Sequence, residues 1–172
     1  MTDLPLSGLR VLDFAQFLAG PVAALRLADL GAEVIKLEPP GVGEASRRLG
    51  TSFLNGESMY YMIYNRNKKG ITVNLHIEEG RNILYSLARI SDVVLENFRP
   101  GVMDRLGLGY DSIRDLNPRV IYCSVSGFGR DNALRGIPAM DQIIQSLSGL
   151  MKISGLPGDP AMRVGFPIVD TF

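Results

Sequence analysis

The sequence predicts an α/β protein built on a parallel sheet. Three observations carry that prediction. Short apolar runs alternate with amphipathic stretches along nearly the whole chain, and glycine and proline punctuate the joints between them. The 172 residues are 46% hydrophobic and 21% charged, which is the composition of a globular domain with a core. Strands separated by helical stretches need crossover connections, and these favour parallel pairing of right-handed units.

The elements follow in order. Leu9 to Phe14 reads as a short buried strand. Pro21 to Leu30 carries Val22, Leu25, Leu27 and Leu30 near helical spacing, and Gly31 closes it as a C-terminal cap. Glu33 to Leu37 is a second strand, stopped by Pro39 and Pro40. Gly41 to Gly56 is glycine-rich and polar, a loop, and Ser58 to Asn65 a short helix. Gly70 to Leu75 is a third strand. Glu78 to Ile90 is an amphipathic helix with Ile83, Leu84, Leu87 and Ile90 on one face. Asp92 to Glu96 is a fourth strand, Tyr110 to Leu116 a helix stopped by Pro118, and Val120 to Val125 a fifth strand. Asp141 to Leu150 is a further helix, and Arg163 to Val169 a further extended run.

Such sheets bind ligands at the carboxyl ends of their strands. The residues there are Ala15 to Gly20, the Pro39-Pro40 turn, His76, Asn97 to Gly101, Gly127 to Arg130, and Asp170.

Composition narrows the function. Eighteen Lys plus Arg balance eighteen Asp plus Glu, which argues against a general nucleic-acid binder. The single cysteine, Cys123, excludes a disulfide within the chain and a cysteine metal cluster, and the single histidine, His76, excludes a multi-histidine metal site. No metal is expected. No apolar run approaches the ~18 residues of a membrane span, and Met1 to Arg10 does not read as a secretory signal, so the expected location is cytoplasmic. The chain contains no G-x-G-x-x-G, no G-x-x-x-x-G-K-S/T and no G-x-S-x-G, which lowers the dinucleotide, P-loop and esterase readings.

Several segments have both a plain and a functional reading. Gly20-Pro21 suits an ordinary helix start, or a helix N-terminus facing a phosphate. Asn65-Arg66-Asn67-Lys68-Lys69-Gly70 is a solvated basic turn, or a set of cations for a polyphosphate. Asn97 can tie its own turn, while Phe98 and Arg99 offer a flat apolar face and a cation to an adenine and a phosphate. Asp170 can cap a following helix, or serve as a nucleophile or general base. Cys123 reads as a small buried hydrophobe, His76 as structural, and Asp13 as a tie for a loop.

Taken in order, Gly8 to Phe14, Ala19-Gly20-Pro21, Leu30 to Glu38, Asn65 to Lys69, Glu96 to Gly101, Leu116 to Arg119, Ser126 to Gly129 and Ser148 to Met151 resemble the family III coenzyme A transferases, a group that shares its scaffold with the α-methylacyl-CoA racemases. The resemblance implies a Rossmann-like parallel sheet with helices on both faces. It implies movement of coenzyme A between an acyl-CoA donor and a small carboxylic acid acceptor through an aspartyl intermediate on Asp170. It implies CoA contacts at Leu18, Ala19, Val73, Asn74, Leu75, His76, Asn97, Phe98, Arg99 and Arg105, with Asp141 close to the reacting centre.

Two departures matter. Pro39 stands where some members carry Arg over the adenosine phosphate, so Arg105 or the basic turn would have to compensate. Met140 stands where racemases carry His, which favours transfer over racemisation, because exchange at an α-carbon needs opposed bases. Members of the family are also considerably longer. On that basis residues 1–172 are expected to be the N-terminal CoA-binding portion, without the small domain and returning segment, inactive alone and prone to dimerise through uncovered apolar surface. The alternative is a non-catalytic CoA- or nucleotide-binding or oligomerisation module.

Overall fold

In the computed structural model, residues 4–172 are described, and they form one five-stranded parallel sheet with helices on both faces. The strands are β1 (Arg10–Asp13), β2 (Glu33–Glu38), β5 (Lys68–Thr72), β6 (Val93–Glu96) and β7 (Ile121–Ser124), ordered β5-β2-β1-β6-β7. A two-stranded hairpin, β3 (Phe53–Leu54) with β4 (Glu57–Ser58), stands apart. The helices are α1 (Ala19–Asp29), α2 (Met59–Asn65), α3 (Glu78–Arg89), α4 (Val102–Arg105), α5 (Tyr110–Leu116), α6 (Asp141–Leu147), α7 (Leu150–Ile153) and α8 (Ile168–Thr171). Among the described residues no helix is long and apolar enough to cross a membrane.

The sheet separates two apolar clusters because strand side chains alternate between faces. Leu12 and Val94 point to one side, where Leu84 and Ala88 of α3 and Ile113 of α5 bury against them. Val11, Val34 and Leu95 point to the other, where Ala24 and Ala28 of α1 pack. Full burial of a side chain such as Leu12 or Leu84 contributes about 1.5–3 kcal/mol. The small alanines let α1 lie close on the sheet. Gly20 serves the same approach, since a Cβ there would meet the Ala15 side chain at 2.3 Å. At the far end of α1, Gly31 at φ +104° donates to Ala28 and Ala32 donates to Leu27, closing the helix in a Schellman motif.

Several boundaries differ from the sequence expectation. β5 begins at Lys68, not Gly70, and ends at Thr72. The loop expected over residues 41–56 contains a 3-10 turn at Ala45–Arg48 and the first strand of the hairpin, which bends at Asn55 and Gly56, both at positive φ. Asn-Gly is the usual signal for that turn. In α3 the buried line is Gly80, Leu84 and Ala88, while Ile83 and Ile90 are exposed. The helix expected from Asp141 to Leu150 is broken at Gly149 into α6 and α7. The run from Arg163 to Val169 pairs with no strand, and its end is the first turn of α8. Asp170 is therefore inside a helix and does not cap one.

Candidate functional site

The chain leaves β1 toward β2 and β5 on one side and returns to β6 and β7 on the other, so the order reverses beside β1. Crevices for ligands form at the carboxyl ends of strands where such a reversal occurs. Two cavities meet there.

The first, of about 400 Å³, is mostly apolar. Val73, Leu75, His76, Phe98 and Arg105 line it, together with Phe14, Gln16 and Pro39. A polar recess adjoins it, with Arg81 and Tyr85 beside His76 and Arg105. The second cavity, of about 630 Å³, is lined by Leu18, Ala19, Asn97, Arg99, Asp141 and Asp170, with Tyr60 and Met140 beside them. The expected site residues thus fall along one groove, with Asn74 excepted. The Asn74 carboxamide accepts from the His76 amide at 3.0 Å and shapes the turn after β5.

The turn between β1 and α1 joins the two cavities, and side chains from other elements hold its backbone. Asp13 accepts from the Ala15 amide at 2.9 Å. The buried Lys36 ammonium donates to the Ala15 carbonyl. Asn97 accepts from the Gln16 amide at 2.7 Å and donates to the Gln16 carbonyl at 2.8 Å. Glu44 accepts from the Phe17 amide at 2.8 Å, and Phe17 itself sits at φ +64°. Both polar atoms of the Asn97 side chain are therefore used on the turn, which makes it a support for the groove more than a donor into it.

A buried charged layer underlies this turn. Parallel strands covered on both faces are ordinarily apolar throughout, so Lys36 and Glu38 in β2 were a signal that sequence reasoning passed over. Lys36 lies 3.6 Å from Glu44. Glu38 accepts from Arg47 at 2.6 and 2.7 Å and from Tyr61 at 2.6 Å. Burial alone would raise the Glu38 carboxyl, but these bonds and the Glu44 amide outweigh it and hold it down at about 2.

The basic turn has no part in the groove. Arg66 pairs with Asp29 at 2.6 Å, Lys69 with Glu33 at 2.5 Å, and the buried Lys68 with Asp13 at 3.0 Å. The polyphosphate reading of this segment is thereby corrected, because its cations are spent inside the chain. Arg105 lines the first cavity together with Pro39. Asp13 ties its loop as expected, and adds an ion pair. Cys123 is half-buried in β7.

Asp170 is half-buried, and its carboxyl is pushed above the ordinary value by burial first and then by the charge of Asp141. Asp141 does not face solvent. It accepts from the Val169 amide at 2.8 Å and from Gln145 at 2.5 Å. Tyr60 was missed in the sequence. Its phenol is raised to about 12 by burial, with Tyr64 and Asp170 adding to the shift. The signal available was the aromatic run Tyr60-Tyr61 at the start of α2.

Comparison with known proteins gives a consistent result. The family model described as CoA-transferase family III matches residues 6–172. The acetyl-CoA:oxalate CoA-transferase of Acetobacter aceti is 46% identical over 94% of this chain and 41% of its own length. The succinyl-CoA:glutarate CoA-transferase of Mus musculus is 44% identical over 96% of this chain and 38% of its own. The crystal structure of a CAIB/BAIF family protein from Brucella suis superposes with a TM-score of 0.93 at 38% identity, over 99% of this chain and 46% of that one. The chain thus spans less than half the length of the relatives it matches.

Proposed function

The chain belongs to CoA-transferase family III, and on that premise we propose that it binds coenzyme A thioesters in the groove and presents Asp170 as the acyl acceptor in transfer to a carboxylic acid. The observation that carries this is the convergence of Leu18, Ala19, Arg99 and Asp170 on one cavity beside the apolar one lined by His76, Phe98 and Arg105. The smaller cavity and its polar recess offer an apolar face and two arginines to a nucleotide. The larger one offers a carboxylate to the thioester.

The steps balance without a cofactor. The Asp170 carboxylate attacks the thioester carbonyl and expels CoA thiolate, leaving a mixed anhydride. The thiolate attacks the aspartyl carbonyl and releases the donor carboxylate, leaving an aspartyl-CoA thioester. The acceptor carboxylate attacks that thioester and expels the thiolate again. The thiolate then takes the acceptor acyl group and frees Asp170. Each covalent intermediate divides a difficult exchange into easier ones. A carboxylate with a raised pKa is the better nucleophile, and the uncapped start of α1 at Leu18 and Ala19 borders the same cavity as the developing oxyanions.

Within this reading residues 1–172 form the CoA-binding portion, and the 172 residues alone give little or no transfer. A second reading, a CoA-binding module that self-associates without turnover, is favoured by the exposure of Leu147, Ile153 and Leu156. The experiment is calorimetry of the complete gene product with CoA, acetyl-CoA, NAD and ATP. It is followed by transfer between a labelled acyl-CoA and a panel of carboxylates, with mass spectrometry for an adduct on Asp170. CoA thioesters are expected to bind best, and preference for NAD overturns the proposal.

A further inference from the structure

Gln145 has no place in the chemistry above, yet its side chain is fully buried. It lies one helical turn after Asp141, on the same face of α6. Its Nε2 donates to Asp141 Oδ2 at 2.5 Å and lies 3.4 Å from the Phe166 carbonyl. Its Oε1 accepts from the Val164 amide at 2.9 Å. Asp141 Oδ1 accepts from the Val169 amide at 2.8 Å. The two side chains therefore grip residues 164–169 near both ends, and Asp170 is the next residue.

Beyond these bonds, the Met162 amide donates to the Met151 carbonyl at 3.0 Å and α8 lies against α1. Every side chain from Gly155 to Phe172 is exposed or half-buried, and α8 buries none. Buried apolar packing is thin here, so hydrogen bonds take a large share in where the segment sits. An amide suits the position for a chemical reason. One end must donate to a carboxylate and the other must accept from an N–H. A carboxyl can accept but cannot donate once ionised, and a thioether of similar length does neither well.

We propose that Gln145 is the positioning residue of the Asp170 site, holding Asp141 in place and through it the Ile168–Val169 peptide, one residue before Asp170, against the groove. The proposal rests on the reading of Asp170 as acyl acceptor. The titratable or charged groups along the adjoining cavity are Tyr60, Arg99, Asp141 and Asp170, and Asp141 is the one that Gln145 touches.

The test uses two variants of the complete gene product. Gln145→Met is expected to lower kcat by about 10- to 100-fold, the scale on which a misplacement of about 1 Å acts. Acyl-CoA affinity should stay within about twofold, because the ends of β2, β5 and β6 build that cavity. Hydrogen exchange of peptides spanning residues 160–171 should accelerate while peptides of β1 stay protected. Gln145→Glu keeps the side chain's length and should show a pH signature. Its kcat/KM relative to wild type should rise as pH falls and the introduced carboxyl protonates, becoming able to donate to Asp141. A purely space-filling role predicts tolerance of Gln145→Met and a flat ratio for Gln145→Glu, and either result overturns the proposal. If Gln145→Met is too unstable to assay, the pH profile of Gln145→Glu decides alone. Undiminished transfer by Asp170→Asn would remove the acceptor reading, and exchange over residues 160–171 would still decide whether Gln145 grips the segment.

Discussion

From residue 4 up to Val125 the chain is held by a sheet with an apolar cluster on each face; from Ser126 onward only Asp141 and Gln145 are buried, and both are polar. The first region can lose a surface contact and keep its shape. The second depends on a few directional bonds from α6 to the segment before Asp170. The nucleotide-sized cavity belongs to the first region and the carboxylate to the second. On the reading proposed above, a site divided this way would separate binding from chemistry, with strand ends holding the large ligand and a lightly packed segment carrying the reacting group. Local opening is easiest where buried apolar contacts are few.

The sharpest way to break that comparison is Asp170→Asn. In the complete gene product it should abolish transfer, a loss of at least about a thousandfold, while CoA affinity changes by less than about twofold. On the proposed reading the carboxylate forms the covalent bond, whereas the other cavity holds the ligand. Calorimetry beside the transfer assay checks both halves. A parallel loss of binding would mean that the two regions do not work separately.

Stability should divide the same way. Leu84→Ala empties a fully buried position under the sheet and should cost about 3 kcal/mol. Ile153→Ala, at a position 79% exposed in α7, should stay within about 0.5 kcal/mol. Denaturant unfolding of both variants measures the contrast. Equal costs would show that α7 is packed more tightly than its exposure implies.

Between these extremes lies the charged layer under the β1–α1 turn. Glu38→Gln removes the charge that Arg47 and Tyr61 address and should destabilise by about 2 kcal/mol, the scale of a hydrogen bond to a charged group. Because the turn is held from β2 through Lys36 and Glu44, acyl-CoA affinity should fall with it, by about threefold to tenfold. Affinity unchanged at that cost in stability would mean that the charged layer supports the fold alone.

The division also explains what could be read from the sequence. β1, β2, β6 and α5 were legible because buried parallel strands and capped helices leave strong local signals in Val, Leu, Gly and Pro. The start of β5 was not, because Lys68 and Lys69 look like a turn until Asp13 and Glu33, distant in sequence, neutralise them. The run before Asp170 looked like a strand because it is apolar, but no neighbouring strand offers it a partner. Most of the groove was found from strand ends and from the family resemblance. Glu44 and Gln145 were not, because their hold on the Phe17 and Val164 amides is made across long stretches of sequence, and a polar residue in a loop or on a helix gives no local hint of such a partner.

The smallest expected effect is invisible at neutral pH and sets two carboxylates of the two regions against each other. Asp170 is raised by burial and by Asp141, so it protonates at a higher pH than an ordinary aspartate at 3.8. As the proposed acyl acceptor it must be ionised, so kcat/KM should fall with an acid limb above that value. Glu38 is depressed to about 2 from an ordinary 4.5. A depressed carboxylate contributes stability that is fully present above its unfolded value and fades as pH falls toward the folded one. Its contribution should therefore persist undiminished above pH 4.5 and drain away only between there and about 2. On acidification, activity should be lost first, with the sheet still folded, and should return on neutralisation. Circular dichroism and a transfer assay along one pH series check the order. If unfolding and inactivation coincide, the carboxylate of the thin region is not titrating independently of the sheet, and the two regions form a single cooperative unit.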